Sequence, residues 1–209
     1  ATESAISAAP SNSYRFMIIC SPAKAYYTGK VRVTFAEKYS RSANGGVGFA
    51  KAAGNYAAQF YPTALAQAKG FQQVVWTDAS THEYLEEAGT MNVFFRVNDT
   101  LLTAPISDRI LDGITRKSIL KLAEDNNIKV DVRRVKVSEI KEAARNGELK
   151  EIFGAGTAAV ISPISAFEHS EEVFELPEIE GSYASMFKTK ILNIQHNVSE
   201  DPNGWRFGI

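Results

Sequence analysis

The sequence has few of the residues that form disulfide bonds or metal sites, which stabilise small folds that lack a large hydrophobic core. Its 209 residues include one cysteine, Cys20, so an internal disulfide and a cysteine-rich metal site are excluded. The three histidines, His82, His169 and His196, do not have the spacing of metal ligands. We therefore expect no metal, and a fold that depends on burial of apolar side chains.

An excess of charge of one sign and long apolar runs are also lacking. The 23 lysines and arginines nearly balance the 24 aspartates and glutamates, which gives a formal net charge of −1. A chain without a basic field is not expected to bind nucleic acid. Because no apolar run has the length that crosses a bilayer, we expect no membrane association and a cytoplasmic location.

The composition that is present is typical of a globular domain. Hydrophobic residues make up 44% and charged residues 22% of the chain, enough for one sizeable core. Strand-like runs interspersed with helical patterns predict an α/β or α+β fold. Residues 1–13, which are small and polar, are expected to form a loosely ordered linker before a single domain at 14–209.

Apolar spacing and turn residues predict the elements. Strands are expected at 14–21, 30–35, 73–78, 83–87, 92–97, 100–104, 129–137 and 151–161, and helices at 55–69, 113–126, 138–147 and 182–197. Asn55 is predicted to cap the first helix and Pro62 to interrupt it. The inward faces of the first two helices are predicted to be Tyr56, Phe60, Thr63, Ala64 and Gln67, and Ile114, Ile119, Leu120 and Ala123.

The segment at 45–56 has a composition that points to chemistry. It contains four glycines and a single charged residue, Lys51. Glycine lets a backbone approach a ligand closely, and a lysine among apolar neighbours loses its proton more readily than one in water. A neutral amine is the nucleophile that condenses with carbonyl compounds. The alternative is a glycine-rich turn whose lysine points into solvent.

Three further segments, 86–92 (EEAGTMN), 111–116 (LDGITR) and 153–159 (FGAGTAA), follow 45–56 along the chain. In this order, and over nearly the whole chain, the four segments resemble the branched-chain amino acid aminotransferases, which are type IV pyridoxal-phosphate enzymes. This resemblance implies the family's C-terminal large domain, in which mixed sheets form a pseudo-barrel flanked by helices, without the smaller N-terminal domain. It also implies a homodimer, with Tyr26, Tyr27 and Phe49 on a face that is normally covered.

The resemblance implies a role for three side chains around the cofactor ring. Lys51 matches the lysine that holds pyridoxal 5′-phosphate as a Schiff base and later moves the substrate proton. Glu87 matches the carboxylate that pairs with the pyridine nitrogen, and Tyr56 the tyrosine bonded to the ring oxygen. A solvated lysine, an exposed strand glutamate and a packed helix tyrosine are the alternatives. Glu86, on the opposite strand face, is expected to be exposed.

Other matches concern the cofactor phosphate, the ring face and the substrate. They are Leu111, Gly113, Ile114, Thr115, Thr157 and Arg41 for the cofactor, and Thr90, Thr157 and Ala158 for the substrate. Arg41 resembles an arginine close to the phosphate, and the start of the helix at Gly113 offers free amides to it. Ordinary caps, loops and a core leucine would also fit. Asp112 replaces the family's proline and puts a negative charge beside that site.

The activity implied by the resemblance is transfer of the amino group of L-leucine, L-isoleucine or L-valine to 2-oxoglutarate. Two other type IV activities stay open, those of D-amino acid transaminases and of aminodeoxychorismate lyases. The segment at 87–92 and the tail containing Trp205 favour the branched-chain group. A non-enzyme alternative is a folded but catalytically incompetent chain, because a pocket without one of its walls does not exclude water.

Overall fold

The fold is seen in a computed structural model that describes residues 1–6, 8–22, 29, 31–158 and 160–208. The described part of 1–22 has no regular secondary structure. The predicted strand at 14–21 is therefore wrong, and its side chains are exposed, among them Phe16 at 89% and Ile19 at 81%. An apolar run forms a strand only where another strand pairs with it. Among the described residues, no helix is long and apolar enough to span a bilayer.

Within the described residues, ten strands form one mixed sheet, and five helices surround it. The strands are β1 (Val31–Phe35), β2 (Gln73–Thr77), β3 (Tyr84–Ala88), β4 (Met91–Val97), β5 (Thr100–Thr103), β6 (Lys129–Val132), β7 (Val135–Lys136), β8 (Leu149–Gly156), β9 (Val160–His169) and β10 (Glu172–Glu175). The helices are α1 (Ala53–Ala57), α2 (Phe60–Ala68), α3 (Ile114–Asp125), α4 (Val137–Arg145) and α5 (Tyr183–Gln195).

The sheet closes on itself. Its path runs β4–β8–β9–β1–β2–β3, and β3 also pairs with the start of β4, so these strands form a barrel. β1 is parallel to β2 and β9, whereas the other pairs in the ring are antiparallel. β5 and β6 extend the sheet from the far half of β4, and β10 from the end of β9. The expected α+β fold with a barrel-like sheet is confirmed.

The core divides between the inside of the barrel and its helical cover. Adjacent side chains of a strand point to opposite faces, so Phe95 enters one cluster with Phe35, while Phe94 enters another beneath α3 and α5. Phe35 stacks on Phe167 with ring centroids 4.5 Å apart, and Phe94 on Phe153 at 5.2 Å. Both faces of the central strands are therefore buried, which matters for the charged residues on β3.

The predicted first helix is two helices. A proline clashes with the carbonyl group four residues earlier, and the break falls at Ala58, four residues before Pro62. Pro62 then lies in the first turn of α2, where its missing amide hydrogen costs nothing. The buried side chains of this region are Asn55, Gln59, Pro62 and Ala66, rather than the predicted set.

Other predictions differ in register or extent. Ile114 is 66% exposed and does not face inward, whereas Ile119 and Ala123 are buried as predicted. The run at 129–137 divides into β6, β7 and the start of α4, and the run at 151–161 divides into β8 and β9. The second half of β9 and all of β10 were not predicted.

Candidate active site

Three neighbouring strands align polar groups at one end of the barrel. Glu87 on β3 is the register partner of Asn92 on β4, and Asn92 is in turn the partner of Ala155 on β8. The β3–β4 turn at Gly89 and Thr90, and the turn that follows β8, are at this same end. The strand register therefore brings together segments that are far apart in sequence.

A cleft of about 400 Å³ opens at this end of the barrel, within the range of roughly 300–1,000 Å³ common for small-molecule sites. Every site residue predicted from the sequence lines it: Arg41, Lys51, Tyr56, Glu87, Thr90, Leu111, Gly113, Ile114, Thr115, Thr157 and Ala158. Of the three residues expected on a covered face, Phe49 is 57% exposed. Tyr26 and Tyr27 lie outside the described residues.

The loop before Lys51 follows a path that only glycine allows at Gly48. A Cβ atom there would lie 2.7 Å from the Cα and carbonyl oxygen of Arg109, and equally close to the Cβ of Ser42. Backbone atoms cannot yield as a flexible side chain can, so a larger residue would push the loop away. The Lys51 residue, which is exposed, borders the cleft at the end of this loop.

Asn55, which lies in α1, stabilises the same loop through side-chain hydrogen bonds. Its Nδ2 donates to the carbonyl oxygens of Val47 and Ala50, each at 2.8 Å. The predicted capping role is wrong, because the N-cap of α1 is Ala52 and Asn55 lies within the helix. Instead of capping the helix, the Asn55 side chain holds the turn that precedes Lys51.

Glu87 is a buried and well-bonded carboxylate. It is 5% exposed; Oε1 lies 2.5 Å from Arg41 Nη2, and Oε2 accepts hydrogen bonds from Asn92 Nδ2 and Leu111 N, each at 3.2 Å. Burial raises the pKa of Glu87 to about 7, while the charges of Arg41 and Lys51 and the Leu111 amide oppose that rise. The alternative of an exposed strand glutamate does not hold.

Arg41 is a buried cation that lines the same cleft. Its guanidinium pairs with Glu87 and donates to the carbonyl oxygens of Gly48, at 3.2 Å, and Arg109. The side chain is 5% exposed. Its guanidinium is therefore held by the Glu87 carboxylate and by the loop, and its predicted place near the cofactor phosphate stays a prediction.

Glu86 is not exposed as predicted. It is 5% exposed on the opposite face of β3, where its Oε1 accepts a hydrogen bond at 2.5 Å from Arg109 Nε. Burial raises its pKa, and the hydrogen bond and charge of Arg109 oppose that rise. The prediction failed because strand alternation shows that two side chains point apart, but not whether another segment covers the second face.

The N-terminus of α3 forms a further wall. Its N-cap, Gly113, supplies no capping side chain, so the first amides of the helix have no partner from the cap. A Cβ at Gly113 would overlap Oδ1 of Asn92, so the glycine allows helix and strand to meet. Asp112 pairs with Lys117 Nζ at 2.6 Å, which offsets the negative charge expected to disturb this site.

Two residues of this region had no role in the sequence-based prediction. Asn92 binds Glu87 and donates to the Leu111 carbonyl oxygen at 2.9 Å. The sequence could have identified Asn92 as a candidate, because it is the one polar residue in the apolar strand run 91–95. Arg109, which binds Glu86, lies in an irregular segment, and no pattern in the sequence singles it out.

Comparisons with known proteins agree with this arrangement. Residues 2–167 match the family model described as amino-transferase class IV. The chain is 41% identical over 211 residues to a probable branched-chain-amino-acid aminotransferase of Staphylococcus aureus, with 99% of this chain and 59% of the relative covered. It is 37% identical over 209 residues to branched-chain-amino-acid aminotransferase 2 of Bacillus subtilis, with 98% and 58% covered. The chain thus spans less than two thirds of these relatives' length.

Solved structures show the same fold. The branched-chain amino acid aminotransferase from Escherichia coli aligns with a TM-score of 0.71 at 24% identity, over 84% of this chain and 56% of that one. The enzyme of that name from Thermobaculum terrenum, solved in its PLP form, aligns with a TM-score of 0.69 at 21% identity, over 82% and 52%. Taken with the family match over most of the sequence, the barrel and its motif-lined cleft lead to one conclusion: the chain belongs to the class IV aminotransferases.

Proposed function

We propose that this chain forms the cofactor-binding part of a pyridoxal-phosphate-dependent transaminase that acts on branched-chain amino acids. The observation that carries the proposal is that a lysine, a buried carboxylate and an uncapped helix N-terminus border one cleft. The relatives that are 37–41% identical are named as branched-chain aminotransferases, which favours branched-chain substrates.

The walls of the cleft fit the polar ends of pyridoxal 5′-phosphate. The Lys51 amine suits its aldehyde, the Glu87 carboxylate its ring nitrogen, and the first amides of α3 with the Thr115 and Thr157 hydroxyls its phosphate. Leu111 offers an apolar surface for the ring. When bound, the cofactor supplies an electrophilic carbon and a ring that withdraws electrons from the substrate.

The proposed roles of the protein side chains follow from their environment. Lys51 Nζ, next to the glycine-rich loop, is the general base that removes the proton of the substrate α-carbon. Glu87 keeps a negative charge opposite the ring nitrogen, because a ring N–H donor and the Arg41 cation both stabilise its ionised form. The Tyr56 hydroxyl is the proposed donor to the ring oxygen.

Substrate recognition is proposed for the two turns at the mouth of the cleft. Thr90, Thr157 and Ala158 line the cleft, and we propose that they contact the substrate carboxylate, with 2-oxoglutarate as the amino acceptor. Two apolar residues near the cleft are exposed: Ile114, which lines it, at 66%, and Phe49, between the lining residues Gly48 and Ala50, at 57%. We propose that a second subunit of a cytoplasmic homodimer covers them. Within the chain, 14–209 would be the cofactor domain and 1–13 a linker.

Cofactor binding is tested first, by absorbance after adding pyridoxal phosphate. We expect a near-ultraviolet to violet band that bleaches with borohydride and leaves the reduced label on the peptide that contains Lys51. Lys51→Ala should abolish the band, whereas Lys188→Ala, at an exposed position on α5, should leave it unchanged. A colourless wild-type protein, or a label on another lysine, would overturn the proposal.

Substrate choice is tested by half-transamination. L-Leucine should convert the bound cofactor, and D-alanine should not. Conversion by D-alanine would favour a D-amino acid transaminase, and pyruvate release from aminodeoxychorismate would favour a lyase. The isolated chain has a cleft open to solvent, so we expect it to turn over slowly or not at all. Cofactor uptake without conversion of any amino acid would identify a catalytically incompetent chain.

A further inference from the structure

Arg109 lies outside the set of residues with a proposed role, yet it contacts both halves of the cleft. It sits between β5 and α3, beside the isolated bridge that pairs Ser107 with Ile110. We propose that Arg109 is a positioning residue that holds the loop carrying Lys51 against the strand carrying Glu87. Its catalytic consequence rests on the function proposed above, whereas its effect on the loop does not.

The side chain of Arg109 branches toward two segments. Its Nε donates to Glu86 Oε1 on β3, at 2.5 Å, and its Nη1 donates to Asn44 Oδ1 on the loop. Nη1 also lies 3.5 Å from Asp108 Oδ1. A guanidinium presents donors in a rigid fork, so one residue reaches both partners, whereas a lysine ammonium offers a single centre. The contact therefore depends on arginine and not on positive charge alone.

The main chain at this position holds the same loop. The Arg109 carbonyl oxygen accepts hydrogen bonds from Ser42 Oγ, at 3.0 Å, and from the Arg41 guanidinium. One residue earlier, the Asp108 carboxylate accepts the Gly45 amide, and its carbonyl oxygen accepts the Phe49 amide at 3.0 Å. The loop is thus attached along its length before it reaches Lys51.

Charge pairing links Arg109 to the strand that carries Glu87, through the neighbouring Glu86. Glu86 and Glu87 point to opposite faces of β3, and each has its own cation, Arg109 for the first and Arg41 for the second. The side chains of both glutamates are at most 7% exposed. A buried carboxylate that loses its cation either takes up a proton or moves toward water. Loss of Arg109 would therefore disturb the strand next to Glu87 in addition to freeing the loop.

The first test uses the cofactor-free protein and amide hydrogen exchange. In Arg109→Lys and Arg109→Gln, exchange at 45–50 should accelerate roughly ten- to a hundredfold, because one charge-assisted anchor is lost. Asn44→Ala removes only the loop contact and should give a smaller acceleration at the same amides. Arg145→Gln is the matched control, since Arg145 pairs with Glu172 and lies over the Phe174 ring, and neither of these partners belongs to the loop or to β3.

A second readout separates positioning from general stability. A merely structural role would accelerate exchange in α5 as well, whereas positioning confines the change to the loop and β3. With cofactor and L-leucine, Arg109→Lys should lower kcat more than it raises KM, because Lys51 is displaced while the substrate turns stay intact. Arg145→Gln should change neither parameter.

Each outcome is decisive. The inference would be overturned if the amides at 45–50 exchanged at the wild-type rate in both Arg109→Lys and Asn44→Ala. It would also be overturned if the amides of α5 accelerated as much as those of the loop. Should Arg109→Gln fail to fold, Arg109→Lys and Asn44→Ala still carry the test, since the first keeps a cation near Glu86 and the second leaves the buried pairs intact. A wild-type protein that binds no pyridoxal phosphate would refute the proposed function, but the exchange result would stand separately.

Discussion

Gly113→Ala tests whether the contact between α3 and β4 organises the cleft. The backbone at Gly113 has φ −68° and ψ 133°, which any residue adopts without strain. The cost of the added methyl group is therefore steric. It would overlap Oδ1 of Asn92, whose amide group is buried and bonded on its other side.

The magnitude follows from what Asn92 loses when it moves. Its Nδ2 donates at 3.2 Å to the Glu87 carboxylate and at 2.9 Å to the Leu111 carbonyl oxygen. A bond to a charged group is worth roughly 1.5–3 kcal/mol and a neutral one roughly 0.5–1.5 kcal/mol. Replacing glycine restricts the unfolded chain and returns about 0.4–1 kcal/mol. We expect a net loss in the free energy of unfolding of roughly 1–4 kcal/mol.

The assay combines urea unfolding with titration of pyridoxal phosphate. Gly113→Ala should lower the unfolding free energy by that amount and weaken cofactor binding, because the displaced amide also lines the cleft. Gly54→Ala is the control: it lies in α1 with nothing within 4 Å of its Cβ position, so stability should hold or rise. Equal stability and equal cofactor affinity in the two variants would show that Asn92 relaxes freely, and would refute the reasoning.

Three further outcomes follow from buried groups. Burial raises the pKa of Glu87 to about 7 from 4.5, so the folded protein keeps a proton that the unfolded chain releases. Stability of the cofactor-free protein should then fall by on the order of 3 kcal/mol as pH rises from about 4.5 to about 7, and thermal melts of Glu87→Gln should lack that slope. Gly48→Ala brings a methyl group 2.7 Å from the Arg109 backbone, so cofactor uptake should be lost while far-ultraviolet circular dichroism is kept; a normal titration would contradict this. Glu151→Ala removes the partner of Arg96 and the acceptor for the first amides of α5; urea unfolding should show a loss of roughly 3 kcal/mol, with cofactor affinity of the folded protein unchanged.

Local signals in the sequence predicted much of the cleft. Glycines with a single lysine marked the loop at 45–56, and Gly113 marked the start of α3, because both depend on short-range backbone geometry. The motif resemblance added Glu87, Thr90 and Thr157, and all the nominated residues line one cavity. Their proposed roles stay predictions until the cofactor experiments are done.

Tertiary structure decided which charges and faces are covered. Alternation along β3 placed Glu86 opposite Glu87, but only the packing of Arg109 against that strand buried Glu86 and gave it a partner. In the same way, only the folded chain joined Arg41 to Glu87 and left the apolar run at 14–21 without a strand beside it. Periodicity reports how a segment turns its own side chains, whereas burial depends on which distant segment packs against them, and that is set by the closure of the barrel.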